Sequence, residues 1–274
     1  MVGCARPTSQ IAREEKTPVL RTAQDPLFQK ALGGDPEAQY QVGRIYCEGK
    51  GFQYDGKGIP RDYPKAIEYL TKSAQQGHAQ AQNDLALMYL HGQGVIEDHQ
   101  EAAMWLTLAA EQNLPEAQYH LSRLYAQGKG VSKDEEIAFD LLSKSAQANY
   151  VKAQYHLGLY YIWGRNFLFR PKGFIDSKDL FDFKYLFEMT EIIHTLHEKT
   201  LPNMNKQDIE LGFSWLEKAK GQGSQEAAKA FQQLSIFRFI DFKTGKLDVN
   251  AFLSAQTDEQ NEALLKENIG EIFK

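Results

Sequence analysis

The chain is poor in cysteine: its 274 residues hold two, Cys4 and Cys47. A chain this long has enough sequence for a sizeable buried core and needs no disulfide framework to fold. It also lacks a surplus of charge of one sign. Thirty-one Lys and Arg stand against thirty-six Asp and Glu, a net charge of −5 with the signs mixed, so there is no basic footprint of the kind that binds nucleic acid. No apolar run approaches the ~20 residues of a membrane-spanning helix. Chemical signatures are missing too: there is no Gly-x-Ser-x-Gly nucleophile turn and no glycine-rich phosphate loop.

In place of these features the chain has a repeat. Residues 78–113 and 114–149 are two copies of one pattern, the second 36 positions after the first, and a third starts at Tyr150. A fixed period of this size marks one supersecondary unit stacked on copies of itself. Counting from zero at His78, offset 3 is Ala81, Ala117, Ala153 and, one copy earlier, Ala38. Offset 7 is Leu85, Leu121, Leu157 and Val42; offset 11 is Tyr89, Tyr125, Tyr161 and Tyr46. The spacing i, i+4, i+8 puts all three on one stripe of a helix. Offset 8 is small (Ala86, Ser122, Gly158, Gly43) and lets a neighbouring helix approach closely.

A Gly-x-Gly follows, at Gly92 and Gly94, Gly128 and Gly130, and Gly49 and Gly51. Positive φ there ends one helix and turns the chain. Asp98 and Asp134 stand where the next helix needs its N-cap. That second helix carries Ala102 or Ala138, then Trp105 or Leu141, and closes at Asn113 or Asn149, with Gly77 and Gly223 at the same offset. Gly and Asn are the residues that best accept a left-handed cap. The unit is therefore helix, glycine turn, helix, and it buries both its faces only when copies stack.

Residues 81–113 and 117–149 resemble the Sel-one-like repeat (SLR) family, a relative of the tetratricopeptide repeat. That family's motif runs roughly A-x-x-x-L-G-x-x-Y-x-x-G-x-G-V-x-x-D, then A-x-x-W-x-x-x-A-A-x-x-G. The first copy, Asp35–Gly77, carries Phe52–Gly58 as an extra segment at its turn. The fourth starts at Tyr150 and resumes at Asp208, Trp215, Ala219 and Gly223 after a long insertion; a weak fifth start is Ala227 and Phe231. The resemblance implies an all-α fold: a right-handed α-solenoid of stacked helix-turn-helix repeats with one long helical insertion and a C-terminal cap, of a bacterial kind. Some secreted members staple each repeat with a disulfide, which two cysteines cannot do here. The expected organisation is a flexible tail over 1–24 and a solenoid over 25–223, with repeats near 35–77, 78–113, 114–149 and 150–223, the last interrupted by the insertion 166–207. A helical cap is expected over 224–274. Asp25–Gly34 reads as the end of a second helix that covers the first repeat from its N-terminal side.

The insertion is expected to hold a helix from Asp176 or Ser177 to about Lys199, with a narrow polar stripe. A helix this apolar is buried on most sides or offers part of its aromatic surface to a partner, and both readings stay open. Glu191, His194 and His197 share its turns. Their order does not fit the helical zinc-protease patterns, so no metal and no cofactor is expected. Val2-Gly3-Cys4 looks like the end of a lipoprotein cleavage box without the basic and apolar regions upstream. As written the chain reads as cytoplasmic; a start further upstream would make it a periplasmic lipoprotein with a lipid anchor at Cys4.

Offsets 2, 5, 9 and 12 point nearly opposite the apolar stripe, at about 100° per residue. The resemblance implies that this second set lines a concave groove. Offset 5 is Tyr40, Asn83, Tyr119 and Tyr155; offset 9 is Arg44, Leu87, Arg123 and Leu159. Tyr with interleaved Arg suits a protein partner, because both types combine large contact area with a polar handle. The rival reading is that the tyrosines cover helix–helix seams. His120 and His156 share offset 6 with Gln41 and Asp84 and read as a polar surface position.

The expectation is a non-enzymatic scaffold or adaptor that binds a protein partner through the groove, the insertion or both. Replacing Tyr119 and Tyr155 by Ala is expected to weaken binding without changing stability. The resemblance also implies two rivals: an immunity protein, in lipoprotein form, that neutralises a secreted phospholipase-type toxin, and a hydrolase, for which no nucleophile–base–orienter set can be assembled.

Overall fold

A computed structural model describes residues 25–49, 59–163, 206–234, 238, 240–241 and 246–247. Ten helices are described: α1 (Pro26–Leu32), α2 (Pro36–Glu48), α3 (Tyr63–Gln75), α4 (Ala79–His91), α5 (His99–Glu111), α6 (Pro115–Gln127), α7 (Glu135–Gln147), α8 (Val151–Trp163), α9 (Lys206–Gly221) and α10 (Gln225–Leu234). The fold is the all-α, stacked-hairpin architecture of an α-solenoid. The tail 1–24, Cys4, the expected helix over 176–199 with Glu191, His194 and His197, and most of the expected cap lie outside the described residues. Lys206 and Gln207, counted above with the insertion, are the first turn of α9. Among the described residues no helix is long and apolar enough to cross a membrane.

The residues fall into two compact units, one ending at Ala117 and one beginning at Gln118, so the boundary lies within α6. In the first unit α2 pairs with α3 and α4 with α5, while α3 also packs on α4. The expected stripe forms the core: Ala38, Val42, Tyr46, Ala81 and Leu85 are buried together with Met88 and with Ala66, Leu70 and Ala74 of α3, and Tyr89 packs partly buried against them. α1 stands in for a preceding repeat. Its Phe28 and Ala31 are buried in that core, and the Phe28 ring meets Tyr46 edge-on at 6.1 Å.

In the second unit α8 packs on α7 and on α9, and α10 packs on α9. α9 thus completes the fourth repeat across residues 164–205. Gly158 of α8 faces Gly212 of α9. A Cβ on Gly212 would lie 2.7 Å from the Gly158 carbonyl oxygen and 2.5 Å from Ile162 Cγ1. Other repeats place Ala at the position of Gly212 (Ala66, Ala102, Ala138), so this pair makes the backbone-to-backbone approach that only glycine allows. Beyond α10 a short antiparallel ladder pairs Ile240 with Leu247 and Asp241 with Lys246. The cap is therefore not wholly helical.

Helix ends follow the sequence chemistry. Asp98 Oδ1 accepts from the Gln100 and Glu101 amides at 2.8 and 3.0 Å, and Asp134 does the same for Glu136 and Ile137 at 2.9 and 3.0 Å. The repeat closes in the left-handed region at Gly77 (φ 86), Asn113 (φ 61), Asn149 (φ 65) and Gly223 (φ 89).

A buried glutamine recurs at offset 4: Gln39, Gln82, Gln118 and Gln154. Three of them donate from Nε2 to a carbonyl in the last turn of the helix before: Gln39 to Ala31 (3.1 Å), Gln82 to Ala74 (3.0 Å) and Gln154 to Ala146 (3.2 Å). Their Oε1 atoms accept from an exposed glutamine closing the same repeat: Gln76 (2.8 Å), Gln112 (2.8 Å) and Gln222 (2.7 Å). Each bond bridges two helices, so the ladder fixes register where apolar packing alone would slide.

Candidate protein-interaction surface

In the first unit the face opposite the apolar stripe opens into a cleft of about 350 Å³ between α2 and α4. Tyr40, Arg44, Cys47 and Glu48 line it from α2, and Asp84, Leu87, Met88 and Gln93 from α4 and the turn after it. Spacings of three and four residues bring each set to one side of its helix. Three of the expected residues, Tyr40, Arg44 and Leu87, meet here.

His78 sets the geometry. It occupies the N-cap of α4, where Nδ1 accepts from the Ala81 amide at 3.2 Å. Its Nε2–H donates to Glu37 on α2 at 2.9 Å, and its ring stacks on Tyr40 with centroids 4.6 Å apart. The hydrogen bond from His78, then that from Gln41, holds the Glu37 carboxyl below its ordinary pKa. One imidazole thereby caps one helix, ties it to the next and fixes the tyrosine at the cleft wall.

Arg44 extends over the Tyr40 ring, 5.9 Å from its centroid, and pairs with Glu48 at 2.5 Å. Both side chains are exposed, so the pair adds little stability. Cys47 Sγ lies 3.8 Å from Met88 Sδ. Burial, then the charges of Asp84 and Glu48, push its thiol pKa up, so at neutral pH it stays protonated and serves as apolar wall. Asp84 sits half-buried at the cleft. Burial raises its carboxyl pKa, against the lowering effect of Asn83, Arg44 and the Tyr40 hydroxyl. Asn83 Nδ2 donates to Asp84 Oδ1 at 3.2 Å.

The second unit repeats part of this arrangement on α6 and α8. Arg123 lies over the Tyr119 ring at 5.9 Å, and the ring meets Tyr150 and His156, each at 5.4 Å. His156 holds the offset of Asp84. Its Nδ1–H donates to the Lys152 carbonyl at 2.8 Å, and the Tyr119 hydroxyl lies 3.4 Å from the same nitrogen. Burial holds the imidazole pKa down at about 4, so it is neutral at pH 7. Tyr155 is half-buried and meets His156 edge-on at 5.0 Å.

The eight expected residues therefore divide. Arg44 and Arg123 are exposed; Tyr40, Leu87 and Tyr155 are half-buried. Asn83 (6% exposed), Tyr119 (3%) and Leu159 (5%) are buried. Tyr119 clusters with Leu142, Ala146, Ala153 and Leu157. Truncating it removes core packing, which corrects the expectation that Ala at Tyr119 spares stability. The offset-6 position is corrected as well: Asp84 and His156 face the tyrosine of the preceding repeat rather than open solvent. The signal was an alternation at offset 9, Arg in the first and third repeats against Leu in the second and fourth. It is legible only once two repeats are read as one unit. Among the described residues no three His, Cys, Asp or Glu side chains converge as a metal site would require.

Known proteins place this arrangement. A sequence model of the Sel1 repeat matches residues 36–78, 79–114, 115–150, 151–170 and 206–224, more than half of the chain. No curated protein sequence matches. Among solved structures, a Sel1 repeat protein from Oxalobacter formigenes is 34% identical over 47% of this chain and 91% of its own, with a TM-score of 0.42. The protective antigen c5321 of uropathogenic Escherichia coli, which displays an SLR fold, is 21% identical over 77% of this chain and 43% of its own, with a TM-score of 0.48. A Sel1 repeat protein from Klebsiella pneumoniae is 22% identical over 76% and 97%, with a TM-score of 0.41. Sel1 repeats generally mediate protein–protein interaction and are generally not catalytic. With five matched segments in the register of its helices, the chain belongs to the Sel1 repeat family.

Proposed function

We propose that this chain is a non-enzymatic scaffold that binds a protein partner through the first helices of its repeats. Tyr40, Arg44 and Leu87 make contact in the first unit, and Arg123 and Tyr155 in the second. The observation that carries the reading is the α2–α4 cleft, where an aromatic ring, an aliphatic side chain and an exposed guanidinium converge at fixed positions. Helices that are already packed present these groups preformed, so little ordering entropy opposes binding.

The test is affinity capture from the native organism with the intact protein, Leu87→Asp, the turn control Ile96→Asp, and a version lacking 166–207. Ile96 is 89% exposed, so its substitution controls for added charge. One dominant partner retained by the control and the deletion, and lost with Leu87→Asp, supports the reading. Retention by Leu87→Asp together with loss on deletion moves recognition to the insertion and sinks the cleft as the site.

A further inference from the structure

The α2–α4 cleft carries an unmet charge, and that charge selects the chemistry of what enters. Three charged groups line it: Arg44, Glu48 and Asp84. Arg44 and Glu48 satisfy each other at 2.5 Å. Asp84 forms no ion pair within 4 Å among the described residues; its hydrogen-bond donors there are neutral, the Asn83 amide at 3.2 Å and the Tyr40 hydroxyl, and Arg44 acts on it through charge alone. Asn83 Oδ1, buried beside it, has no hydrogen-bond partner among the described residues. The locality thus offers a half-buried carboxylate held by neutral donors and, beside it, an unused acceptor, with no cation in an ion pair with the carboxylate among the described residues. The raised pKa of the carboxyl agrees, since its surroundings do not compensate for burial.

The rest of the lining suits a long, thin, largely aliphatic side chain. Leu87, Met88 and Cys47 supply an apolar wall, and the Tyr40 ring, held by its stack on His78, supplies a flat one. Lysine and arginine combine such an aliphatic stem with a cationic head that needs a carboxylate. A second anion would meet Asp84 and Glu48, and an apolar side chain would leave the carboxylate desolvated and unpaired.

We propose that this cleft is the pocket for a lysine or arginine side chain of the protein partner, whose head group pairs with Asp84 while its stem lies between Tyr40 and Leu87. The proposal rests on the scaffold reading above and adds the charge of the residue recognised. Arg44 opposes the incoming cation, so the site is tuned to modest affinity and rapid release.

Titration followed by NMR tests it, using the full chain and the capped tripeptides Gly-Arg-Gly and Gly-citrulline-Gly, which differ by one charge at constant shape. Saturable shifts at Tyr40, Asp84, Leu87 and Met88 with the arginine peptide are expected. The citrulline peptide, or the isosteric variant Asp84→Asn, is expected to weaken them about tenfold or more. Arg44→Gln is expected to tighten arginine binding several-fold, which a misfolded variant would not do. Equal shifts with both peptides, no change with Asp84→Asn, or no saturable shift at these residues overturns the inference. The two readings separate in the capture assay: a partner lost with Leu87→Asp but held fully by Asp84→Asn leaves the scaffold standing and removes the cationic pocket.

Discussion

Gln222 is exposed, and substitutions at exposed positions usually change stability by less than about 0.5 kcal/mol. This one should not. Its Nε2 donates to Gln154 Oε1 at 2.7 Å, and Gln154 is 0% exposed. In Gln222→Ala the truncated side chain loses nothing to burial, but the acceptor it served stays inside without a donor. An unsatisfied buried neutral acceptor costs about 1–3 kcal/mol. Gln154→Met keeps the length of the side chain and removes its polar atoms. It forfeits the bonds to the Ala146 carbonyl (3.2 Å) and to Asn149 Oδ1 (3.3 Å), yet that carbonyl still accepts the Asn149 amide at 3.1 Å and the Asn149 side chain is exposed to water, so no buried group is orphaned. Its cost should be about 1–2 kcal/mol. In the double variant Gln222→Ala should cost almost nothing further, so the cycle should show a coupling of about 1–3 kcal/mol. Urea unfolding followed by circular dichroism, read on the transition that includes the second unit, supplies all four stabilities. A Gln222→Ala variant within about 0.5 kcal/mol of the parent, or strictly additive effects, would refute the claim that the glutamines form a load-sharing ladder.

Other expectations follow from the same contacts. Gly212→Ala should destabilise the α8–α9 pair by about 1–3 kcal/mol despite better helix propensity, because its Cβ meets the Gly158 carbonyl oxygen at 2.7 Å; a rise in melting temperature would contradict this. Gly94→Ala should be costly on two counts, a φ of 76° and a Cβ 2.5 Å from Tyr63 Cβ, and thermal unfolding would reveal it. Tyr119→Ala should lower stability by about 3–5 kcal/mol, whereas Tyr155→Ala, half-buried, should cost less; equal effects would argue against the burial difference. For His156 the folded pKa of about 4 lies below the ordinary 6.5, so the folded state binds fewer protons. Its contribution to stability is intact above pH 6.5 and falls as the pH drops toward 4. The difference in stability between the parent and His156→Gln should therefore change across that window, and a flat difference would rule the mechanism out.

The repeat register was readable because each position has one physical demand. The Ala and Leu (or Val) positions of the stripe are buried in every copy, with its tyrosine buried at Tyr46 and half-buried at Tyr89, Tyr125 and Tyr161; Asp98 and Asp134 cap their helices, and Asn113 and Asn149 take the left-handed conformation that Gly77 and Gly223 take elsewhere. The glutamine ladder was visible as an Ala-Gln pair in four copies but carried no obvious meaning, because a polar residue beside a buried one usually faces water. Only the three-dimensional stack shows that offset 4 lies under the end of the preceding helix. Asp84 and His156 were misread for a related reason. A helical wheel gives the direction of a side chain from its own axis, and it is silent on which neighbour stands there. The cleft belongs to two repeats at once, so single-repeat reasoning reached Tyr40, Arg44 and Leu87 and stopped short of the carboxylate between them.

The division of the fourth repeat has a consequence for how this chain can change. α8 and α9 are locked together by the Gly158–Gly212 approach midway along the pair and by the Gln154–Gln222 bond at the end away from residues 164–205. Once the two helices are clamped to each other, lengthening the segment that connects them adds little entropy cost, about 0.6 kcal/mol for each doubling. The α4–α5 and α6–α7 hairpins close through short turns in which a left-handed glycine and an aspartate cap leave no such slack. Residues 164–205 therefore occupy a docking port for new sequence: an element can be enlarged, exchanged or trimmed there while the stack beneath keeps its register.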